Sequence, residues 1–320
     1  MDLIYTNARH VDQGVLSAYA FDLSFGASEN DFELKLGASG PALDFGAFVY
    51  IEGTEHGGVV DAKKTSTDGK TITYTGRTWH GMMDSKVIEP DPGASHLIVN
   101  GDANDVLTML IDRLGLGDLF AVSAGASGIT IKNHKFARYC LGYDGIADML
   151  ADHGAKLKMT WENRAVCLSA VPIVDYTTAP VDADMATLTV ELHGNKVNHL
   201  ICLGQGELAE RDIIHLYADR FGQIIDKPYY TGIDERCDVY ENTSVPTLEE
   251  LWENGVKRFR ELREVDKADI SKINDAFAYD IGDIVGALDV DSGITVTAAV
   301  TQKIVRINNG AVSTEYKTEG

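Results

Sequence analysis

The chain has 320 residues, of which 44% are hydrophobic and 24% are charged, and this balance excludes a wholly disordered or fibrous polypeptide. Its formal net charge of −21 argues against a stable grip on DNA, because phosphate binding needs clustered Lys and Arg side chains. Thirty-one glycines lie mostly singly between short apolar stretches, and such frequent turns predict a mainly β fold.

Residues 1–84 alternate between apolar and polar side chains with the period of two that is typical of strands. Asp68-Gly69 predicts a tight turn near the end of this segment, because the pair accepts the positive φ angles of a two-residue hairpin. We therefore predict an antiparallel β-barrel over these residues. Its predicted strands are residues 3–6, 16–25, 32–36, 48–51, 59–65 and 71–76.

The segment 85–190 is predicted to form a small α/β domain. Pro90 and Pro92 cannot continue a central strand, so they mark its beginning. Helical spacing and then alternation of apolar residues predict two helices followed by two strands. These are residues 104–114, 145–153, 157–161 and 166–170.

The segment 191–320 is predicted to hold a second β-barrel and a connecting helix at about residues 247–264. Thr247 and Glu250 form a capping-box pattern at the start of this helix. Basic residues collect in its C-terminal half, where they complement the helix macrodipole. A solvated helix face is the preferred interpretation of these charges, and a groove for nucleic acid is the alternative.

Three consecutive antiparallel strands are predicted after Tyr279. Alternation places threonines on one face of the middle strand and apolar residues on the other. The apolar residues are Ile294, Val296, Ala298 and Val300. Asp291-Ser292-Gly293 supplies the first turn, and Asn308-Asn309-Gly310, which tolerates positive φ angles, supplies a tight second turn.

Two patterns raise the possibility of enzyme chemistry. Gly204-Gln205-Gly206-Glu207-Leu208-Ala209 fits the loose dinucleotide fingerprint, but strand-like residues follow it where a phosphate-binding helix is required. His193 and His199 would need a third ligand to hold a metal ion, and none lies nearby in the sequence. We assign no catalytic, cofactor-binding or metal-binding residue and predict that the chain is not an enzyme.

Several segments resemble the tail-hub (baseplate hub) proteins of long-tailed phages and phage-tail-like particles, especially the phage Gp37-like group. The similarity covers the end of the family's first barrel, its central segment and its C-terminal strands, in order. Between them, residues 85–160 correspond to the family by position only. The matching segments are residues 76–83 (GRTWHGMM), 204–211 (GQGELAER), 215–219 (HLYAD), 280–287 (DIGDIVGA), 295–305 (TVTAAVTQKIV) and 312–317 (VSTEYK).

The resemblance implies an α+β, mainly β fold of two tail-tube-like antiparallel β-barrels with an inserted small α/β region and a connecting helix. It implies a homotrimeric ring that joins the sixfold tail tube to a threefold spike or tip. The expected partners are the tail tube or distal tail protein and the spike or tail-tip protein. DNA or the tape-measure protein would pass through the bore, and the chain alone would bind no membrane.

The resemblance implies a location in the baseplate of a virion or of a phage-tail-like particle such as a bacteriocin. Assembly in the bacterial cytoplasm is expected because residues 1–7 lack a secretory signal pattern. The alternative function is a carbohydrate-binding, or carbohydrate- or nucleotide-acting, tail protein that presents Trp79, Tyr229 and Tyr230. Structural or assembly roles are predicted for residues in the matching segments and turns. These residues are Trp79, Gly282, Asp283, Gly286, Asp291, Gly293 and Gly310.

Overall fold

The computed structural model describes residues 1–27, 29–65, 70–177, 186–191, 194, 196–220, 222–263, 267–273, 278–289 and 294–319. Within these residues the chain forms 23 strands and four α-helices, which confirms the prediction of a mainly β protein. The chain divides into two compact units, here called the large unit (Met1–Leu188 with Asp269–Gly320) and the small unit (Thr189–Ala268). The three-domain division made from the sequence stays a prediction. In the described ranges, no helix is both long and apolar enough to cross a bilayer.

The N-terminal quarter of the chain forms seven strands. They are β1 (Leu3–Thr6), β2 (Asp12–Leu16), β3 (Tyr19–Gly26), β4 (Asp31–Gly37), β5 (Phe48–Ile51), β6 (Gly57–Thr65) and β7 (Thr71–Thr78). Alternation buries one face of β4 through Phe32, Leu34 and Leu36, whereas all four residues of β5 are buried. The predicted strand 16–25 is interrupted by a bend at residues 17–18.

A small α/β region follows within the large unit, as predicted. Its elements are α1 (Trp79–Asp84), β8 (Val87–Ile88), β9 (Ile98–Asp102), α2 (Ala103–Arg113), β10 (Phe120–Val122), β11 (Thr130–Lys135), β12 (Cys140–Leu141), α3 (Gly142–Ala151), β13 (Ala155–Glu162) and β14 (Ala165–Pro172). The side chain of Asp102 caps α2 by accepting from the backbone N–H of Asn104. Strands β10, β14 and β13 form a sheet in that order, and helices α2 and α3 share one core with it.

The small unit pairs one helix with one sheet. Its strands are β16 (His199–Leu203), β17 (Ile213–Ala218), β18 (Ile224–Ile225) and β19 (Cys237–Glu241), in the sheet order β18-β17-β16-β19, and α4 (Leu248–Arg263) packs on them. Leu251 and Phe259 of α4 are buried against Leu200 and Leu216 of the sheet. Helix α4 confirms the predicted helix 247–264. Strands β15 (Ala186–Glu191) and β20 (Lys267–Ile273) pair with each other.

The C-terminal strands β21 (Ile284–Asp289), β22 (Ile294–Asn308) and β23 (Ala311–Glu319) are antiparallel, as predicted. They do not stand apart from the N-terminal strands, because Gln302–Asn308 of β22 pairs with β3. The result is one ten-stranded sheet in the order β2-β1-β5-β6-β7-β4-β3-β22-β21, with β23 on β22. Across the described residues this sheet does not close on itself, so the closed barrels predicted from the sequence are not present in the single chain.

A β-bulge divides β22 into two halves. Ala298 and Val300 are buried and Thr297 is exposed, in agreement with the predicted faces, while the side chains of Ile294 and Val296 lie outside the described residues. The register shifts between Val300 and Gln302. An extra residue reverses the faces, and the buried apolar side chains after the bulge are therefore Val305 and Ile307.

Candidate functional site

Trp79 lies at the contact between the large sheet and the α/β region. Strand β7 ends at Thr78, whose hydroxyl caps α1 by accepting from the backbone N–H of Gly81. Trp79 is the first residue of α1, and its indole ring points into the core. The ring is fully buried and stacks on Trp161 of β13, with centroids 5.0 Å apart. An added Cβ at Gly57 would lie 2.6 Å from the Trp79 ring, so this glycine is needed for the close fit. Trp79 is therefore a core residue and is unavailable to a carbohydrate, contrary to the alternative prediction.

Asp283 is the second predicted residue at this contact, and it is only 1% exposed. Its Oδ1 accepts from the Lys156 ammonium at 2.6 Å and from the backbone N–H of Val174 at 2.9 Å. Its Oδ2 accepts from the backbone N–H of Asp280 at 2.9 Å. A buried carboxylate is tolerated only when it is paired and hydrogen-bonded, and Asp283 meets both conditions.

Further charges extend this pair into a network that we call the ionic junction, consisting of Glu55, Lys156, Asp280, Asp283 and Lys303. Asp280 contacts Lys156 at 3.1 Å and Lys303 at 3.5 Å, and Lys303 contacts Glu55 at 2.6 Å. The five residues come from the turn after β5, from β13, from the segment before β21 and from β22. The ionic junction therefore ties the α/β region and the C-terminal strands to the N-terminal part of the sheet.

The electrostatics of the ionic junction favour its charged state. Burial raises the pKa of Asp280, but the Lys303 and Lys156 ammonium groups outweigh that effect and hold the pKa below its usual value. Burial alone would lower the pKa of Lys303. The carboxylates of Glu55 and Asp280 outweigh that effect, and the pKa of Lys303 is raised above its usual value. These groups stay ionised at neutral pH because each is matched by an opposite charge.

A polar cavity of about 190 Å³ lies beside the ionic junction and is lined in part by Glu55, His56, His80 and Asp280. Burial lowers the pKa of His80 to about 4, against the opposing effect of Glu55. The same cause lowers the pKa of His56. The Nδ1 atoms of both histidines have no hydrogen-bond partner within the described residues. Both rings are therefore neutral at pH 7.

The predicted glycines occupy tight or left-handed positions. Gly282 has a φ of +94°, and an added Cβ would lie 3.1 Å from Cβ of Lys156. An added Cβ on Gly286 would lie 3.1 Å from Cα of Thr177. Gly310 has a φ of +88° in the turn between β22 and β23. Asp291 and Gly293 lie outside the described residues.

The structure thus brings Gly282 and Asp283 together with Lys156, whereas Gly310 lies in a separate turn. The assembly roles given to the seven residues in the sequence analysis stay predictions. Sequence reasoning missed Lys156, Glu55 and Lys303. The sequence could have indicated Lys303, because it lies two positions before the apolar Val305 and therefore on the same face of β22. Lys156 carried no such signal, because a lysine on a predicted strand is ordinarily solvated.

The patterns weighed for enzyme chemistry have other structural explanations. Residues 204–212 form a loop with a short 3-10 helix, Leu208–Glu210, and the antiparallel β17 follows. No helix N-terminus is therefore placed after β16 to receive a pyrophosphate. His199 contacts Glu235 and His215, while His193 lies outside the described residues. Within the described part of the chain, no group of three or more His, Cys, Asp or Glu side chains is arranged to hold a metal ion.

No protein-family model matches the sequence, and a comparison with curated proteins gives no match. Three solved structures match nearly the whole chain, each at 13% identity. The first is a tail protein from Neisseria meningitidis, with a TM-score of 0.52. The match covers 100% of this chain and 96% of that protein. The second is prophage tail protein gp18 from Listeria monocytogenes, with a TM-score of 0.54, and the match covers 100% of this chain and 94% of that protein. The third is the 43 kDa tail protein of prophage MuSo2 from Shewanella oneidensis, with a TM-score of 0.55, and the match covers 99% of this chain and 98% of that protein.

The chain has the fold of these tail proteins. The resemblance to phage tail proteins found in the sequence is thereby confirmed at the level of the fold. Because the match covers both units, the small unit belongs to the tail-protein fold as much as the large sheet does.

Proposed function

We propose that this protein is the structural hub of a phage tail or of a phage-tail-like particle. The observation that carries the proposal is the match of 99% to 100% of the chain to three tail proteins. A match over one unit alone would leave open a tail-derived module joined to another activity. Full coverage supports an architectural role for the whole chain.

The proposed mechanism is symmetry adaptation. Three chains would form a ring in which the ten-stranded sheet of β1–β7 and β21–β23 in each chain faces the tail tube. This ring would face the sixfold tail tube on one side and a threefold spike or tip on the other. A cyclic trimer matches the threefold partner directly, and it matches the sixfold tube when each chain presents two similar contact surfaces to it.

The ionic junction and the Trp79 contact fit this role because a ring of protomers keeps one shape only if the sheet and the α/β region of each protomer keep a fixed position relative to each other. Asp283 and Lys156 tie the α/β region to the C-terminal strands at a buried, hydrogen-bonded point. Buried ionic pairs specify one geometry more than they add stability. We infer that the ionic junction sets the angle between the sheet and the α/β region in each protomer.

The proposed partners are a second and third copy of this chain, the tail tube or distal tail protein, and the spike or tail-tip protein. DNA or the tape-measure protein would pass through the bore, and the net charge of −21 would keep DNA from adhering to it. The proposed location is the baseplate. The chain would act without catalysis and without binding a membrane by itself.

Multi-angle light scattering of the purified chain, alone and mixed with the tail tube protein of the same particle, tests this function. The proposal predicts a mass of three chains of 34.8 kDa each. A monomer in both samples would contradict it. Thermal stabilisation by a dinucleotide, or glycan-array binding by such a monomer, would instead support the enzyme or carbohydrate alternative.

A further inference from the structure

The small unit carries a positively charged groove on a strongly acidic protein. Two cavities of about 450 and 580 Å³ adjoin each other and share Lys196, Gly222 and Arg263 in their walls. Their basic lining residues are Lys196, Arg220, Arg236, Arg260 and Arg263. Among the lining residues that the structure describes, Asp234 is the one acidic residue of either cavity. Five cations around one groove contrast with the chain's net charge of −21.

The fold holds the guanidinium group of Arg263 and the backbone of Arg236 in place. Arg263 donates from Nη1 to the carbonyl oxygen of Val197 at 2.7 Å, and its guanidinium lies over the ring of Phe259. The side-chain oxygen of Asn198 accepts from the backbone N–H of Arg236 at 2.8 Å, which fixes the start of β19. An ordered guanidinium loses less side-chain entropy when it binds a carboxylate with its planar fork.

The groove also has apolar walls, which favour a peptide over a nucleic acid. Trp252 is 48% exposed and Ile233 is 98% exposed, and each lines one of the two cavities. Ile224 and Val256 add aliphatic surface beside Trp252. A single-stranded nucleic acid would need a series of stacking rings along its path, and the described lining residues provide one ring in each cavity, Tyr230 and Trp252. A segment with carboxylates and apolar side chains fits the mixture.

We propose that this groove binds an acidic peptide segment of a second copy of this chain. This inference rests on the proposed trimer, whose cyclic contacts join two different surfaces of neighbouring protomers. The charges identify the occupant, because the chain has 49 acidic and 28 basic residues and a neighbouring copy is therefore an acidic surface. A basic groove facing such a surface gives complementary potentials and suppresses wrong pairings.

The test compares two variants with the same change in net charge. Arg236→Glu/Arg260→Glu reverses one exposed cation in each cavity. Lys227→Glu/Lys257→Glu reverses two exposed lysines that line neither cavity. Circular dichroism melts first establish that both variants keep the wild-type unfolding temperature, and sedimentation velocity then measures self-association at about 0.05 and about 0.5 M salt.

We expect Arg236→Glu/Arg260→Glu to weaken self-association about tenfold at low salt and to reduce its salt dependence, with the lysine variant close to wild type. A wild-type trimer that neither variant weakens, or that both weaken equally, would overturn the groove's role and leave the hub proposal standing.

If the wild type is a monomer in this experiment, the mixture with the tail tube protein decides the hub proposal, and the chemistry of the groove is tested with labelled probes. Capture of poly-L-glutamate by the wild type and by the lysine variant, with loss in the arginine variant, would support an acidic peptide as the ligand. Capture of heparin or of a single-stranded oligonucleotide without poly-L-glutamate would overturn it.

Discussion

Single backbone positions in this fold require a particular residue, and the last hairpin is the clearest case. Asn309 and Gly310 both have positive φ angles, and Asn308 pairs directly with Ala311. This is the two-residue turn that the Asn-Gly pair predicts, since its backbone twist matches that of the strands on either side.

Replacing Gly310 with valine should destabilise the chain by about 2 kcal/mol, because a β-branched residue is strained at its φ of +88°. Urea unfolding of the two proteins measures the loss. Gly37→Val is the matched control, since Gly37 has no left-handed φ and nothing within 4 Å of an added Cβ. Equal losses in both variants would show that the turn geometry is not the cause.

Asp283 makes a second prediction at the residue scale. Asp283→Ala should cost about 3–5 kcal/mol, because it deprives the buried Lys156 of its closest partner and leaves two backbone donors unpaired. Glu315→Ala breaks the exposed pair with Arg306 and should cost less than about 1 kcal/mol. Chemical denaturation distinguishes the two outcomes, and a loss at Asp283 no greater than that at Glu315 would refute the role given to the ionic junction.

The buried histidines predict how stability depends on pH. An unfolded His has a pKa near 6.5, whereas burial lowers the pKa of His80 to about 4. Between these values the unfolded chain binds a proton that the folded chain does not, so the free energy of unfolding falls as the pH falls. The expected contribution of His80 is about 3 kcal/mol across this range. His56, with a lowered pKa, acts in the same direction.

Unfolding measured at several pH values between 7 and 4 checks this. His80→Phe keeps a ring against Phe25 and should give a shallower pH dependence than the wild type. An unaltered slope in His80→Phe would show that another group titrates.

At the scale of elements, helix α4 is held by one face. Leu251 is 1% exposed within the core of the small unit, whereas Leu248, one turn earlier, is 51% exposed. Leu251→Ala should cost about 3 kcal/mol through lost burial and a residual cavity. Leu248→Ala is expected to cost less than about 1 kcal/mol. Similar losses, measured by thermal or urea unfolding, would contradict this assignment of the buried face.

Local patterns predicted most of these elements. Alternation gave the positions of β1 and of β4 to β7, but it missed β2 and predicted one strand across the bend at residues 17–18. The Thr247 pattern gave a correct start for α4, where its hydroxyl accepts from the backbone N–H of Glu250. These features depend on neighbouring residues alone, so they are visible in a sequence. Helical spacing of apolar residues alone would also place Leu248 and Trp252 on the buried face of α4, yet both are exposed.

Long-range pairing was beyond such patterns. Hairpin signals specify partners that are adjacent in the chain, and nothing in them indicates that β22 pairs with β3. The predicted second barrel failed for this reason, because strands from both ends of the chain complete a single sheet. The ionic junction was missed similarly, since Lys156 and Asp283 lie 127 positions apart.

At the scale of the whole molecule, three features of the fold are consistent with the proposed trimer. The tail-protein fold extends over both units, the ionic junction fixes parts of the large unit to one another, and the basic groove gives the small unit a surface for a neighbour. In the proposed ring of identical chains, each feature has a structural purpose. None of them needs a reactive side chain.

Electron cryomicroscopy of the assembled particle tests the central claim most directly. The expected result is a closed ring of three copies of this chain at the distal end of the tail tube, with the ten-stranded sheets facing the tube and threefold symmetry below. A ring with a different number of copies, or density for this chain in a fibre or a side domain away from the tube axis, would contradict it.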